Sequence, residues 1–227
     1  MKVSLKYLNK KFELEPYTSR QEKDLILLPD FAEKEELLDK ALELLNFNYK
    51  GLTENEKKII LFKFREISVG DKVNIKFTCP FCGQTQEQEV SILDLMTEPT
   101  KKSKYIKSPL INSNNIFDYF KNIDDLDWCK FETLKDNLKD YVCTFNFKRK
   151  CNCIKCKKEN TVDISDNEFI IRSLSELSYS GIMTTYTNLV YYGHYSKLDI
   201  DSMYPFERFI LERMLEKEIE ALRKRDV

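Results

Sequence analysis

The feature that most restricts the fold of this chain is a pair of Cys-x2-Cys turns, Cys79-Pro80-Phe81-Cys82 and Cys153-Ile154-Lys155-Cys156. Each lies between stretches that alternate apolar and polar residues. Val73, Ile75 and Phe77 lead into the first turn, and residues 84–92 lead out. Tyr141, Cys143, Phe145 and Phe147 lead into the second, and Thr161, Val162, Asp163 and Ile164 lead out. A tight turn between strands that offers two thiolates is a zinc knuckle, and two facing knuckles complete a tetrahedral four-sulfur shell. Gly83, just after the first turn, can take the positive φ that lets backbone N–H groups approach sulfur. The expectation is one structural Zn2+ held by Cys79, Cys82, Cys153 and Cys156. Cys151 competes as a ligand through Cys151-x-Cys153, although it lacks knuckle spacing. Cys129 and Cys143, beside Trp128 and Val142, read as core thiols.

Several features favour metal binding over disulfides. The seven cysteines are an odd number, so full pairing would leave a thiol over. Met1-Lys2-Val3-Ser4-Leu5-Lys6 contains no apolar run of the secretory type. The longest weakly polar stretch, residues 179–193, is interrupted by Ser180, Thr184, Thr185, Thr187 and Asn188 and is too short to span a bilayer. A reducing, aqueous compartment is expected.

The same residues argue against an enzyme. Four thiolates close the coordination shell, whereas a catalytic zinc keeps a position open. The single histidine, His194, removes most Ser-His and Cys-His arrangements and reads as a loop or packed residue. Five Gly and six Pro disfavour a turn-rich all-β fold, and no glycine-rich phosphate loop is present. With 37 Lys plus Arg against 38 Asp plus Glu, the net charge of −1 is unlike that of a dedicated nucleic-acid binder. The exception is local: Lys148, Arg149, Lys150, Lys155, Lys157 and Lys158 make the second knuckle basic. These cations read as a solvated turn that offsets the −2 charge of zinc held by four thiolates.

The fold class expected is α+β. Val3, Leu5, Tyr7, Phe12 and Leu14 alternate as a β-hairpin. Thr18 with Gln21, or Ser19 with Glu22, offers a capping box for a helix ending near Pro29. Residues 33–47 carry Leu37, Leu38, Ala41, Leu44 and Leu45 at helical spacing. Thr53 and Glu56 cap a further helix that stops at Ser68-Val69-Gly70. From Asp166 the pattern is helical to residue 227, broken near Gly193 and at Met203-Tyr204-Pro205. The organisation is residues 1–70 as hairpin and helices, 71–95 and 142–165 as a split zinc ribbon, 96–141 as an insertion, and 166–227 as a helical segment. Residues 71–165 form a ribbon excursion from one main domain. Residues 116–123 suggest a short helix within the insertion. In the last helix Phe206, Phe209, Ile210 and Met214 are expected to face the core, with Leu211, Leu215 and Leu222 widening the apolar arc.

Two segments carry a resemblance. Leu61-Phe62-Lys63-Phe64-Arg65-Glu66-Ile67-Ser68-Val69-Gly70-Asp71 leads into strand, Cys-x2-Cys-Gly, strand and then Ile92-Leu93-Asp94-Leu95. Near the other end stands Asp201-Ser202-Met203-Tyr204-Pro205-Phe206-Glu207-Arg208. In combination these resemble the baseplate hub assembly proteins of T-even-type contractile-tailed bacteriophages. The resemblance implies a non-enzymatic protein whose partners are phage baseplate hub and tail proteins. It implies work in the host cytoplasm during tail assembly, or a place in the virion tail baseplate, without small-molecule substrate or membrane. The rival reading is a zinc-ribbon nucleic-acid-binding regulator that sets its basic second knuckle against phosphates.

Overall fold

Thr18 begins the helical layer by accepting the N–H of Gln21 while the Gln21 side chain returns to the Thr18 N–H, so two orphan donors are satisfied at once. Of the two boxes available, the chain uses this one. Ser19 becomes the first helical residue and Glu22 is left free for a different task. The computed structural model describes residues 3–7, 10–93, 96–97, 126–138 and 144–225. Its elements are a hairpin of β1 (Val3–Tyr7) and β2 (Lys10–Leu14), helices α1 (Ser19–Phe31), α2 (Leu37–Leu44) and α3 (Glu54–Ser68), and strands β3 (Lys72–Thr78), β4 (Thr85–Ser91) and β5 (Met96–Thr97). There follow α4 (Trp128–Asp136), β6 (Thr144–Phe145), β7 (Lys148–Asn152), β8 (Glu159–Asp163), α5 (Asn167–Arg172), α6 (Tyr179–Tyr191), α7 (Lys197–Ser202) and α8 (Pro205–Arg225). The protein is α+β, with its strands in antiparallel pairs β1–β2, β3–β4, β5–β6 and β7–β8.

Helix limits follow from local chemistry. Helix α1 continues past Pro29 to Phe31, where the Ala32 N–H still reaches the Leu28 carbonyl. Helix α2 is shorter than its apolar spacing suggests. Glu36 at its start makes no side-chain cap, and Asn46 takes φ 54° at its end. There the Phe47 N–H bonds Leu42 and the Asn46 N–H bonds Glu43, a Schellman closure that stops the helix before Phe47. Helix α3 has the expected Thr53/Glu56 box.

The main core joins Leu25, Leu37, Leu42, Ile60 and Phe62 of α1–α3 to Val73 and Ile75 of β3 and to Ile170, Ile171 and Leu174 at α5. Distant chain segments are also tied by buried polar groups. The Tyr17 hydroxyl donates to the Leu174 carbonyl, and the Tyr17 N–H to Ser68 Oγ. Arg65, 2% exposed, donates from Nε to the Ser173 carbonyl at 2.6 Å and from its other nitrogens to the carbonyls of Gly70 and Lys72. One guanidinium thus ties α3 to the chain entering β3 and to the residue that follows α5.

A smaller core joins Ile26 of α1 to Ile182, Tyr186 and Leu189 of α6 and Ile200 of α7, with Leu211 and Leu215 of α8 against it. Here the last helix departs from expectation. Its inward face is Pro205, Arg208, Leu211 and Leu215, whereas Phe209, Ile210 and Met214 are 50%, 54% and 62% exposed. The cause is Arg208, buried against Glu22 with Nη1 2.7 Å from Oε2. Anchoring at that residue turns Ile210 and Met214 away from α6. Cys129 and Trp128 are likewise exposed, not packed. Cys143 and the helix expected at 116–123 lie outside the described residues. Among those described, no helix is long and apolar enough to cross a membrane.

Candidate metal centre

Strands β3 and β4 pair from Lys72↔Ser91 to Thr78↔Thr85, and β7 and β8 from Lys148↔Asp163 to Asn152↔Glu159. Both ladders run directly into a Cys-x2-Cys turn with the same backbone pattern. In the first, the Cys79 N–H bonds the Gln84 carbonyl and the Gly83 N–H bonds the Cys79 carbonyl. In the second, the Cys153 N–H bonds Lys158 and the Lys157 N–H bonds Cys153. Gly83 takes φ 69° and Lys157 φ 60°. The left-handed position is therefore required by the knuckle, and the second knuckle fills it with a residue that pays a conformational cost of about 1–2 kcal/mol.

The two turns face each other. Cys79 Sγ lies 3.7 Å from Cys156 Sγ, and Cys82 Sγ lies 3.6 Å from Cys153 Sγ. All four sulfurs lie within 4.8 Å of one another. A disulfide would need about 2.05 Å. A tetrahedron with metal–sulfur bonds of about 2.3 Å has edges of about 3.8 Å. The spacing is that of a four-thiolate metal shell, and the donor set suits a soft or borderline ion. Cys79 and Cys153 are buried, Cys82 and Cys156 half-buried.

The environment separates the thiols. Burial works to raise the Cys79 pKa, but the N–H groups of Phe81 and Cys82 and the thiols of Cys156 and Cys153 outweigh it and bring it down to about 6. The Cys153 thiol is also lowered, first by the Cys156 N–H. Cys82 is held up at about 11: the Gln84 N–H would lower it, but burial and the three neighbouring thiols prevail. This is the pattern of sulfurs close enough to share negative charge.

Each sequence-predicted ligand is thus in the cluster. The competing Cys151 is outside it, buried on β7 opposite Asn160, where burial raises its pKa. Three of the six basic residues of the second knuckle are engaged nearby. Lys150 pairs with Glu159 at 2.9 Å, Lys158 Nζ sits 4.5 Å from the Phe81 ring centroid, and Arg149 donates to the Leu93 and Asn146 carbonyls. His194 is exposed in the turn after α6 with φ 59°.

One neighbour was not singled out in the sequence. Gln86 on β4 accepts the Ile154 N–H at 2.8 Å and donates to the Asn152 carbonyl. The available signal was alternation, since Gln86 shares a face with Gln88 and Val90 and so points inward. A polar residue there asks for a partner.

No curated protein and no solved structure matches the chain. A family model does match, described as T4 bacteriophage base plate protein, over residues 1–122. That span includes the first knuckle and stops short of the second. The chain belongs to this family of T4-type phage baseplate proteins.

Proposed function

We propose that the protein is a non-enzymatic component in the assembly of the baseplate hub, acting through contacts with other hub and tail proteins and stabilised by one structural Zn2+ on Cys79, Cys82, Cys153 and Cys156. Family membership supports the baseplate role. The observation that carries the metal reading is the four-sulfur cluster, all within 4.8 Å, whose two cross-knuckle contacts of 3.7 and 3.6 Å have the length of a tetrahedral edge. When bound, zinc would supply a cross-link between hairpins and no chemistry on a substrate, because four thiolates leave it no open position. The chain's residues prepare for it: two knuckles aim the sulfurs, backbone N–H groups stabilise thiolate at Cys79 and Cys153, and Lys158 lies beside the site.

The ribbon excursion, residues 71–95 and 142–165 with 96–141 between, is read as a metal-closed arm on the helical body. Assembly in the host cytoplasm and residence in the virion baseplate both fit such a part. The nucleic-acid reading is weakened by the local partners of Lys150, Arg149 and Lys158. Elemental analysis of the purified protein tests the metal. One equivalent of zinc is expected, and folded, metal-free protein would remove the site. Capture of tail proteins from infected cells, insensitive to salt, tests assembly. DNA binding that falls steeply with salt would favour the rival.

A further inference from the structure

The two hairpins that carry the knuckles do not share a sheet: β3–β4 and β7–β8 are separate two-stranded ladders. The short β5–β6 ladder, Met96↔Phe145 and Thr97↔Thr144, ties the chain after β4 to the chain before β7 at the ends away from the cysteines; among the described residues, no backbone ladder joins the two hairpins at the knuckles themselves. Gln86 spans the gap. It is 9% exposed, it lies opposite Phe77 in the first ladder, and its amide reaches across to the other hairpin. Oε1 accepts the Ile154 N–H at 2.8 Å, and Nε2 donates to the Asn152 carbonyl at 3.4 Å. Those two groups flank Cys153, whose Sγ stands 3.6 Å from Cys82 Sγ.

We propose that Gln86 is the positioning residue of the metal centre, its side-chain amide gripping the backbone on both sides of Cys153 so that the second knuckle is set against the first before the ion binds. This rests on the four-cysteine metal reading and deepens it. Gln86 does not touch the ion. It acts through Cys153, as outer partners of metal ligands do, and loss of such partners typically lowers affinity by about tenfold to hundredfold. Gln88, two residues on and on the same face of β4, makes no such bond, and its Oε1 is without a hydrogen-bond partner. It provides the control.

The test compares the full-length chain with Gln86→Leu and Gln88→Leu. Zn2+ affinity is measured by competition with a chromogenic chelator, and Co2+ substitution reports the sulfur shell through its thiolate charge-transfer and ligand-field bands. Gln86→Leu is expected to lose about tenfold to hundredfold in affinity and to show weakened charge-transfer absorption, with far-UV circular dichroism unchanged. Gln88→Leu is expected to match the wild type in both. Should Gln86→Leu fail to fold, Gln86→Met, unbranched and of similar length, carries the same comparison. Affinity within twofold of wild type and an identical Co2+ spectrum for the Gln86 variant would overturn the proposal while leaving the metal site standing. Equal losses in both variants would also overturn it, as a general effect of the strand. A wild-type chain that binds neither ion would remove the metal site and this role with it.

Discussion

Helix α8 is seated by a charge, and replacing Arg208 with Met should expose how much depends on it. The Arg208 and Glu22 side chains are 4% and 2% exposed, and the Glu22 carboxylate also accepts the Ser175 hydroxyl at 2.6 Å. Met fills the volume of the arginine stem but leaves a buried carboxylate without its cation. Breaking a buried pair on one side costs about 3–5 kcal/mol. With a urea slope of about 2–3 kcal/mol per molar for a chain of this size, the midpoint should fall by about 1–2.5 M. Adding Glu22→Gln removes the stranded charge and keeps an acceptor for Ser175, so the double variant should be more stable than Arg208→Met alone. Urea titrations followed by circular dichroism on the wild type, both singles and the double give the coupling directly. A loss below about 1 kcal/mol for Arg208→Met, or strictly additive singles, would refute the claim that this pair seats the helix.

Other outcomes follow from the same geometry. Cys156→Ser should abolish stoichiometric zinc while Cys151→Ser keeps it, as read by elemental analysis, because Cys151 stands outside the sulfur cluster. Gly83→Ala should destabilise the metal-loaded protein by about 1 kcal/mol in thermal melts, a purely conformational loss, since nothing lies within 4 Å of the added Cβ and φ is +69°. Tyr17 has its pKa raised well above 10.0, chiefly by burial and next by Glu22. A group whose folded pKa is raised gives its full stability below the unfolded value and loses it as pH climbs beyond. Urea stability should therefore fall from about pH 10 upward, and Tyr17→Phe should flatten that fall. Phe209→Asp with Met214→Glu should change stability by no more than about 0.5 kcal/mol, as both are solvent-exposed. Loss of tail-protein capture by this folded variant would place a partner on α8.

What could be read from the chain alone was whatever depends on short spacing. Two thiolates three residues apart, a Thr three residues before a Gln or Glu, and a Pro opening a helix each act within one turn of backbone. The knuckles, the Thr18 and Thr53 boxes and the start of α8 were legible for that reason. Apart from the two knuckles, whose shared chemistry announces that they meet, the sequence was silent where distant groups had to come together. Glu22 read as part of a capping box and proved to be the partner of Arg208. That unseen contact set the rotation of α8, so the apolar residues assigned to the core came out on the surface. Gln86 was hidden in the same way, since its partners are backbone groups 66 and 68 positions away. Cys129 failed for a different reason: an adjacent Trp suggests burial only if the helix carrying both turns that face inward, and α4 does not.

The bond between Tyr17 and Leu174 joins residues 157 positions apart, and Ile170, Ile171 and Leu174 complete a core begun by α1–α3. On the ribosome those helices emerge first and wait. At roughly 5–20 residues per second, the missing side of their core arrives roughly 5–20 s after α3 is complete. Throughout that interval Leu25, Leu42, Ile60 and Phe62 lack the layer that buries them. The nascent chain is thus most exposed to aggregation and proteolysis while the residues between α3 and α5 are being made, and fragments ending between those helices should be insoluble although they contain every residue of the first three helices.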